Sequence, residues 1–200
     1  MKLSILVKLI FNDMKKYILS FIIVIFILNF NTINAQSLNQ FGLKAGVNFV
    51  DIRDKLNDDG VTHVSKTGFY LGAFMEFRKD VNFSIQPEMY YSSNNNKIDE
   101  KIGLLHIPVL FKYKLGDKFE VYGGPESQFL LSVKGIDINK DKNYKKFILA
   151  VSAGFGFMVS DEFTIDARYN LAISNYIDTG YHNNQKLNFI QVGLAYKFDN

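Results

Sequence analysis

From Phe41 onward, apolar and polar positions alternate with a period of two. Such alternation marks strands that have one apolar and one polar face. Eight runs carry it, over residues 41–49, 67–77, 81–91, 106–115, 119–131, 147–159, 163–173 and 188–198. The first shows Phe41, Leu43, Ala45, Val47 and Phe49 on one face. The sixth shows Phe147, Leu149, Val151, Ala153, Phe155, Phe157 and Val159. The fifth is weaker in its middle, at Gly123, Pro125 and Ser127. No helical period competes over a comparable length.

The connections alternate in length. Residues 78–80, 116–118 and 160–162 are tight polar turns, whereas 50–66, 92–105, 132–146 and 174–187 are longer and rich in Asn, Asp, Lys and Gly. An even strand number, with short turns at one end and long loops at the other, is the layout of a transmembrane barrel. It puts both ends of the mature chain on the short-turn, periplasmic side and four loops outside.

The opposite face decides between a membrane and a soluble barrel. It carries Lys44, Asn48, Glu76, Asn82, Gln86, Glu88, Lys112, Lys114, Glu120, Glu126, Gln128, Thr164, Asp166, Arg168, Asn170, Gln191 and Lys197. In either barrel type, closing the sheet turns one face inward. A polar interior with a lipid-facing apolar exterior leaves neither open strand edges nor charges in lipid. About ten residues at ~3.3 Å each, tilted by ~45°, span roughly 23 Å, close to the ~25 Å apolar band of such barrels. The fold expected is all-β: an eight-stranded antiparallel up-and-down transmembrane β-barrel.

Two sets of residues follow from this register. Phe41, Phe77, Phe83, Tyr113, Phe119, Phe157, Phe163, Tyr196 and Phe198 fall outward at the short-turn end, as a periplasmic aromatic girdle would. Glu76, Glu88, Glu120, Glu126 and Asp166 face inward with Lys44, Lys112, Lys114, Arg168 and Lys197. Five acids balance five bases. An eight-stranded barrel is just wide enough to be filled by its own side chains, so these charges are expected to pair and fill the lumen. The inward Gly154 and Gly156 are expected to make room for long lumen side chains.

The N-terminus reads differently. Lys15 and Lys16 precede an apolar stretch over residues 18–30, and Ala35 offers a small cleavage residue that leaves Gln36 first. The stretch is shorter than the ~18 apolar residues of a spanning helix. Residues 1–35 are therefore expected to be a cleaved signal peptide, with Met14 as the expected true start, and 36–200 to be the barrel domain. Residues 1–35 hold four lysines and one aspartate, so the remainder carries 19 basic and 19 acidic residues. A neutral mature chain gives no support to nucleic-acid binding. There is no cysteine, which excludes disulfides and a lipidated N-terminal cysteine.

Five segments carry a family resemblance: FGLKAGVNF at 41–49, FSIQPEMYY at 83–91, HIPVLFKY at 106–113, Gly123-Gly124-Pro125 with Phe129-Leu130-Leu131, and QVGLAYKF at 191–198. In this order they resemble the PorT-like, Bacteroidetes-type outer-membrane β-barrel family. The resemblance implies a barrel in the cell outer membrane, contact with its lipid, and insertion by the barrel-assembly machinery. Two features depart from it: Asp199 and Asn200 follow Phe198, and Phe147-Ile148-Leu149 replaces an acidic opening of the sixth strand.

Few residues offer chemistry. His63 and Ser65 in the first long loop and His182 in the fourth are candidates for a rim active site. His106 opens the fourth strand facing inward, as a hydrogen-bonding residue. Residues 137–143 begin like a calcium loop, but Lys142 and Ile148 stand where glycine and a bidentate glutamate are required. No catalytic residue, cofactor or metal is expected. The reading is a structural or interaction protein whose loops meet an envelope or extracellular protein partner. The alternatives are an accessory subunit of a protein secretion system, a narrow solute channel and a rim enzyme.

Overall fold

The computed structural model describes residues 39–55, 61–95, 101–138, 143–178 and 184–198. The expected signal peptide, its cleavage at Ala35 and the start at Met14 lie outside them. So do His182 and residues 139–142 of the calcium-like segment. For His63 and Ser65 only the backbone is described.

Nine strands are present among the described residues: β1 Asn39–Lys55, β2 Val61–Arg78, β3 Phe83–Asn95, β4 Lys101–Leu115, β5 Phe119–Val133, β6 Phe147–Met158, β7 Phe163–Ala172, β8 Ile177–Asp178 and β9 Asn184–Lys197. Each long strand pairs antiparallel with its neighbour, and β9 returns to β1 from Gly42↔Lys197 to Lys55↔Asn184. Eight strands thereby close into a barrel with no open edge. The two-residue β8 sits outside this cycle and pairs with β9.

The strands reach further into the long connections than the apolar alternation suggests. β1 and β2 stay paired from Asn39↔Phe77 to Lys55↔Val61, and β3 and β4 from Phe83↔Tyr113 to Asn95↔Lys101. The expected connections 50–66 and 92–105 shrink to 56–60 and 96–100. Cross-strand hydrogen bonds do not require apolar side chains, so polar residues continue the ladder beyond the apolar band.

At the short turns the expected limits move the other way. Val81 and Asn82, read as strand, lie exposed in the β2–β3 turn. Lys79 and Asp80 N–H both donate to Phe83 O, and Asp80 Oδ1 accepts from Val81 N at 2.7 Å. Val159 also falls just outside β6 at a short turn, and Ile173 falls just outside β7 at a long connection.

Alternate residues face opposite ways throughout. Leu71 and Phe155 are each 60% exposed on the outside, while Tyr70 and Tyr90 are each 1% exposed within. One bulge breaks the rhythm: Gly103 pairs Ser132 but Leu104 pairs Leu130, so Leu131 is the extra residue. Beyond it Val133 turns inward and is buried.

Candidate functional site

The inward side chains stack in three layers, starting at the short-turn end. There Glu76 meets Lys197 at 3.0 Å, Arg78 at 3.7 Å and Lys112 at 3.9 Å. Lys112 Nζ also lies 2.7 Å from Glu120 Oε1 and donates to Gln86 Oε1 at 2.9 Å.

One layer further in, Arg168 lies between two carboxylates. Its Nη1 is 2.8 Å from Glu88 Oε2, its Nη2 is 3.0 Å from Glu88 Oε1, and Nη2 is 3.1 Å from Asp166 Oδ2. Lys44 reaches both acids, at 3.2 Å and 3.6 Å. Tyr122 and Tyr70 donate to Asp166 at 2.6 Å and 3.2 Å. Their rings also face the cations: Arg168 lies 5.2 Å from the Tyr122 centroid and Lys44 lies 5.6 Å from that of Tyr70. Paired charges with every neighbour supplied are what a buried ionic layer requires.

The layer above centres on Glu126, which is fully buried. Its Oε1 accepts from Gln128 at 2.8 Å and lies 2.6 Å from His106 Nδ1. Its Oε2 accepts from Asn170 at 2.6 Å and from Ser152. On the other side of the imidazole, His106 Nε2 lies 2.8 Å from Ser92 Oγ. Ser92, His106 and Glu126 thus follow the atom order of a serine–histidine–acid relay. All three have 0% exposure, and the ring is stacked on Tyr90 at 4.5 Å and edged by Phe189 at 5.3 Å. A nucleophile needs a reacting atom beside it, and this packing leaves none room. The small cavity among Lys44, Lys112, Glu120, Thr164 and Lys197 belongs to the charged layers and has space for a water-sized guest.

The long-loop end is sealed by apolar side chains. Val50, Ile102, Leu104, Leu130, Val133, Ile148, Leu187 and Phe189 converge inside the mouth, and Ile138 and Tyr176 from the loops pack with them. Tyr144 and Tyr176 approach with centroids 6.4 Å apart, and Tyr144 bridges to Ile177.

Nine of the ten expected lumen charges are buried in the barrel. Lys114 departs from the expectation. It stands half-buried at the short-turn mouth, opposite Glu120 in the register, where water reaches the last inward position of β4. The nine aromatics assigned to the girdle lie on the outer face. Several are in contact: Phe41 stacks on Phe198 at 5.6 Å, Phe119 meets Phe157 at 5.2 Å, and Phe163 meets Tyr196 at 4.8 Å. Gly154 has no space for a side chain, since a Cβ there would stand 2.4 Å from Ala167 O and 2.7 Å from Tyr122 Oη. The sequence reading missed Tyr70, Tyr90, Ser92, Asn94, Tyr122 and Ser152 as lumen residues. Tyr70, Tyr90, Ser92, Asn94 and Tyr122 share the inward parity of charged neighbours on their strands, and that parity was the signal available; β6 has no charged residue, and Ser152 was marked only by lying opposite its apolar face.

Residues 20–198 match the family described as "Outer membrane protein beta-barrel domain". The chain belongs to this family. Among solved structures, the attachment invasion locus protein Ail of Yersinia pestis is similar, with a TM-score of 0.50 and 14% identity over 80% of this chain and 99% of Ail. Neisserial surface protein A matches at a TM-score of 0.48 with 16% identity, over 79% of this chain and 97% of its own. OprG of Pseudomonas aeruginosa matches at 0.46 with 15% identity, over 82% and 98%. At such identities the likeness is one of fold. No curated protein matches the sequence. The protein is a small eight-stranded barrel of the cell outer membrane, with its lumen filled by buried ion pairs.

Proposed function

We propose that this outer-membrane barrel is a sealed structural and interaction protein whose activity lies at its loops. The carrying observation is the double closure of the lumen. Charged layers fill it from the short-turn end, and the apolar cluster around Leu104 and Phe189 stops the long-loop end. A conducting pore needs a continuous open polar path; the apolar cluster interrupts it and the paired charges fill the space beneath. The narrow-channel alternative therefore loses its footing. A catalytic role is not proposed, because the relay-like Ser92 has no space beside it for a substrate.

In this reading the signal peptide is removed after Ala35, and both mature termini face the periplasm. The long-loop end then faces outward, towards an envelope or extracellular protein partner. The outer apolar face and its aromatics contact lipid, and the barrel-assembly machinery inserts the chain. The five ordered motifs support a PorT-like member of the family.

The test is conductance in planar bilayers, using barrel whose folded state is established by a gel shift on boiling. The expected trace is flat at all voltages below bilayer breakdown. Discrete, reproducible current steps from the folded form would overturn the sealed reading. Orientation is tested apart, with an epitope inserted within residues 56–60: antibody must bind it on intact cells.

A further inference from the structure

One of the long connections is basic. The segment 134–146 holds Lys134, Lys140, Lys142, Lys145 and Lys146 against Asp137 and Asp141, a net charge of +3. The other long connections are near neutral: 51–66 has three basic and four acidic residues, 96–101 has two of each, and 173–186 has one of each.

The fold gathers part of this excess into an arc on adjacent strands. Lys134 N–H donates to Lys101 O at 2.9 Å, which joins the ends of β4 and β5. Leu130 N–H donates to Lys146 O at 2.8 Å, which joins β5 to the start of β6. Lys101, Lys134, Lys145 and Lys146 are all exposed, with exposed Asp137 as the acidic neighbour in this arc. The Leu131–Lys134 bulge helps, because it shifts the parity of β5 and returns Lys134 to the surface while Val133 points inward.

Their height on the barrel is informative. Directly towards the middle of the same strands lie Leu131, Phe147 and Leu149, exposed by 51%, 50% and 39%. Phe129 and Phe147 pair across β5 and β6 at 5.4 Å. This is the edge of the lipid-facing band, and Lys134, Lys145 and Lys146 stand one to three residues beyond it, about 3–10 Å along a strand, with Lys101 beside Lys134. Lipid phosphates lie at that depth, just outside the hydrocarbon. Lysine is a point-charge phosphate binder that needs no rigid fork, and four flexible stems can follow a mobile headgroup.

We propose that Lys101, Lys134, Lys145 and Lys146 dock the phosphate groups of an anionic lipid in the outer leaflet. The leaflet assignment rests on the orientation proposed above. Lipid bound here covers β4–β6 on the outside.

The experiment uses the folded barrel in a neutral detergent, with diphosphoryl lipid A as probe, phosphatidylcholine as neutral control and dephosphorylated lipid A as a shape control. Native mass spectrometry reads the lipid retained. The expected result is preferential retention of the diphosphoryl form, falling as salt rises. Each Lys→Gln change in the arc should weaken retention roughly fivefold, so K101Q/K134Q/K145Q/K146Q should abolish the preference. Lys79→Gln with Lys118→Gln, at the exposed short turns, should leave it intact. Equal retention of dephosphorylated lipid A, or equal loss in the short-turn variant, would overturn the proposal. So would soluble polyphosphate bound as tightly as the lipid, which would make the ligand a soluble polyanion. Micelles have no sides, so failure here is separate from failure of the orientation, which the epitope experiment reads.

Discussion

Arg168 and Glu88 lie 80 positions apart in the chain and meet as a two-pronged ion pair, at 2.8 Å and 3.0 Å. No local preference brings β3 and β7 together; closure of the barrel does. The guanidinium also holds Asp166, and Lys44 serves both acids. Removing the arginine therefore leaves two buried carboxylates with one lysine between them. Arg168→Met should destabilise the barrel by ~3–5 kcal/mol, the range for breaking a buried pair from one side. Adding Glu88→Gln to that variant should recover part of the loss, since one orphaned charge is gone. Urea unfolding in lipid vesicles gives both values, and a double variant weaker than the single one would refute this coupling.

Glu126 is the polar hub of the next layer. Its neighbours Gln128, Asn170, Ser152 and His106 all direct polar atoms at one carboxylate. Truncation to alanine strands these groups without water, at ~1–3 kcal/mol for each one left unpaired. Glu126→Ala should consequently cost more than Glu126→Gln, and Ser92→Ala less than either. The same packing predicts that an alkyl fluorophosphonate leaves Ser92 unlabelled in the folded barrel. Labelling of Ser92 that disappears in His106→Gln would reveal an active relay and sink the structural interpretation.

The eight barrel strands and most of the lumen charges were legible because lipid outside and a filled lumen inside force strict alternation. Lys44, Glu76, Glu88, Lys112 and Arg168 could be placed from parity alone. The apolar plug was not legible, for a physical reason. Past the end of the lipid band the outside is wet, so the sign of the alternation inverts: Asp51 and Lys101 turn outward while Val50, Ile102 and Leu104 turn inward. A rule that equates apolar with outward reads such stretches as loop. It also stopped β1, β2 and β4 short of their ends. The bulge at Leu131 hid Val133 in the same way, by changing parity within a strand.

In the β6–β7 turn, the Ser160 hydroxyl donates to Glu162 Oε2 at 2.6 Å. That bond holds the Glu162 carboxyl below the usual carboxylate range. A folded value below the unfolded one means that the contribution to stability is present above the unfolded value. It is lost as pH falls through the folded one. Ser160→Ala should raise the carboxyl towards its ordinary range, as read by NMR titration of Glu162. An unchanged titration would show that the hydroxyl does not set it.

Leu104 and Phe189 sit at the centre of the plug, each with 0% exposure. Leu104 is reached by Leu130 through the β4–β5 register, and the Phe189 ring stands edge-on to His106, so the plug and the Glu126 layer share a boundary. Truncating either side chain removes buried contacts and opens a void above a polar hub. Leu104→Ala should cost ~2–5 kcal/mol and Phe189→Ala ~3–5 kcal/mol. Neither should open a current path, because the ion pairs of Lys112, Lys44 and Arg168 still fill the lumen beneath. Unfolding midpoints and bilayer recordings on the same preparations separate the two effects. A lower midpoint with a flat trace is the expected pair. Current appearing in Phe189→Ala would mean that the plug alone seals the barrel, and that the charged layers conduct once it is lifted.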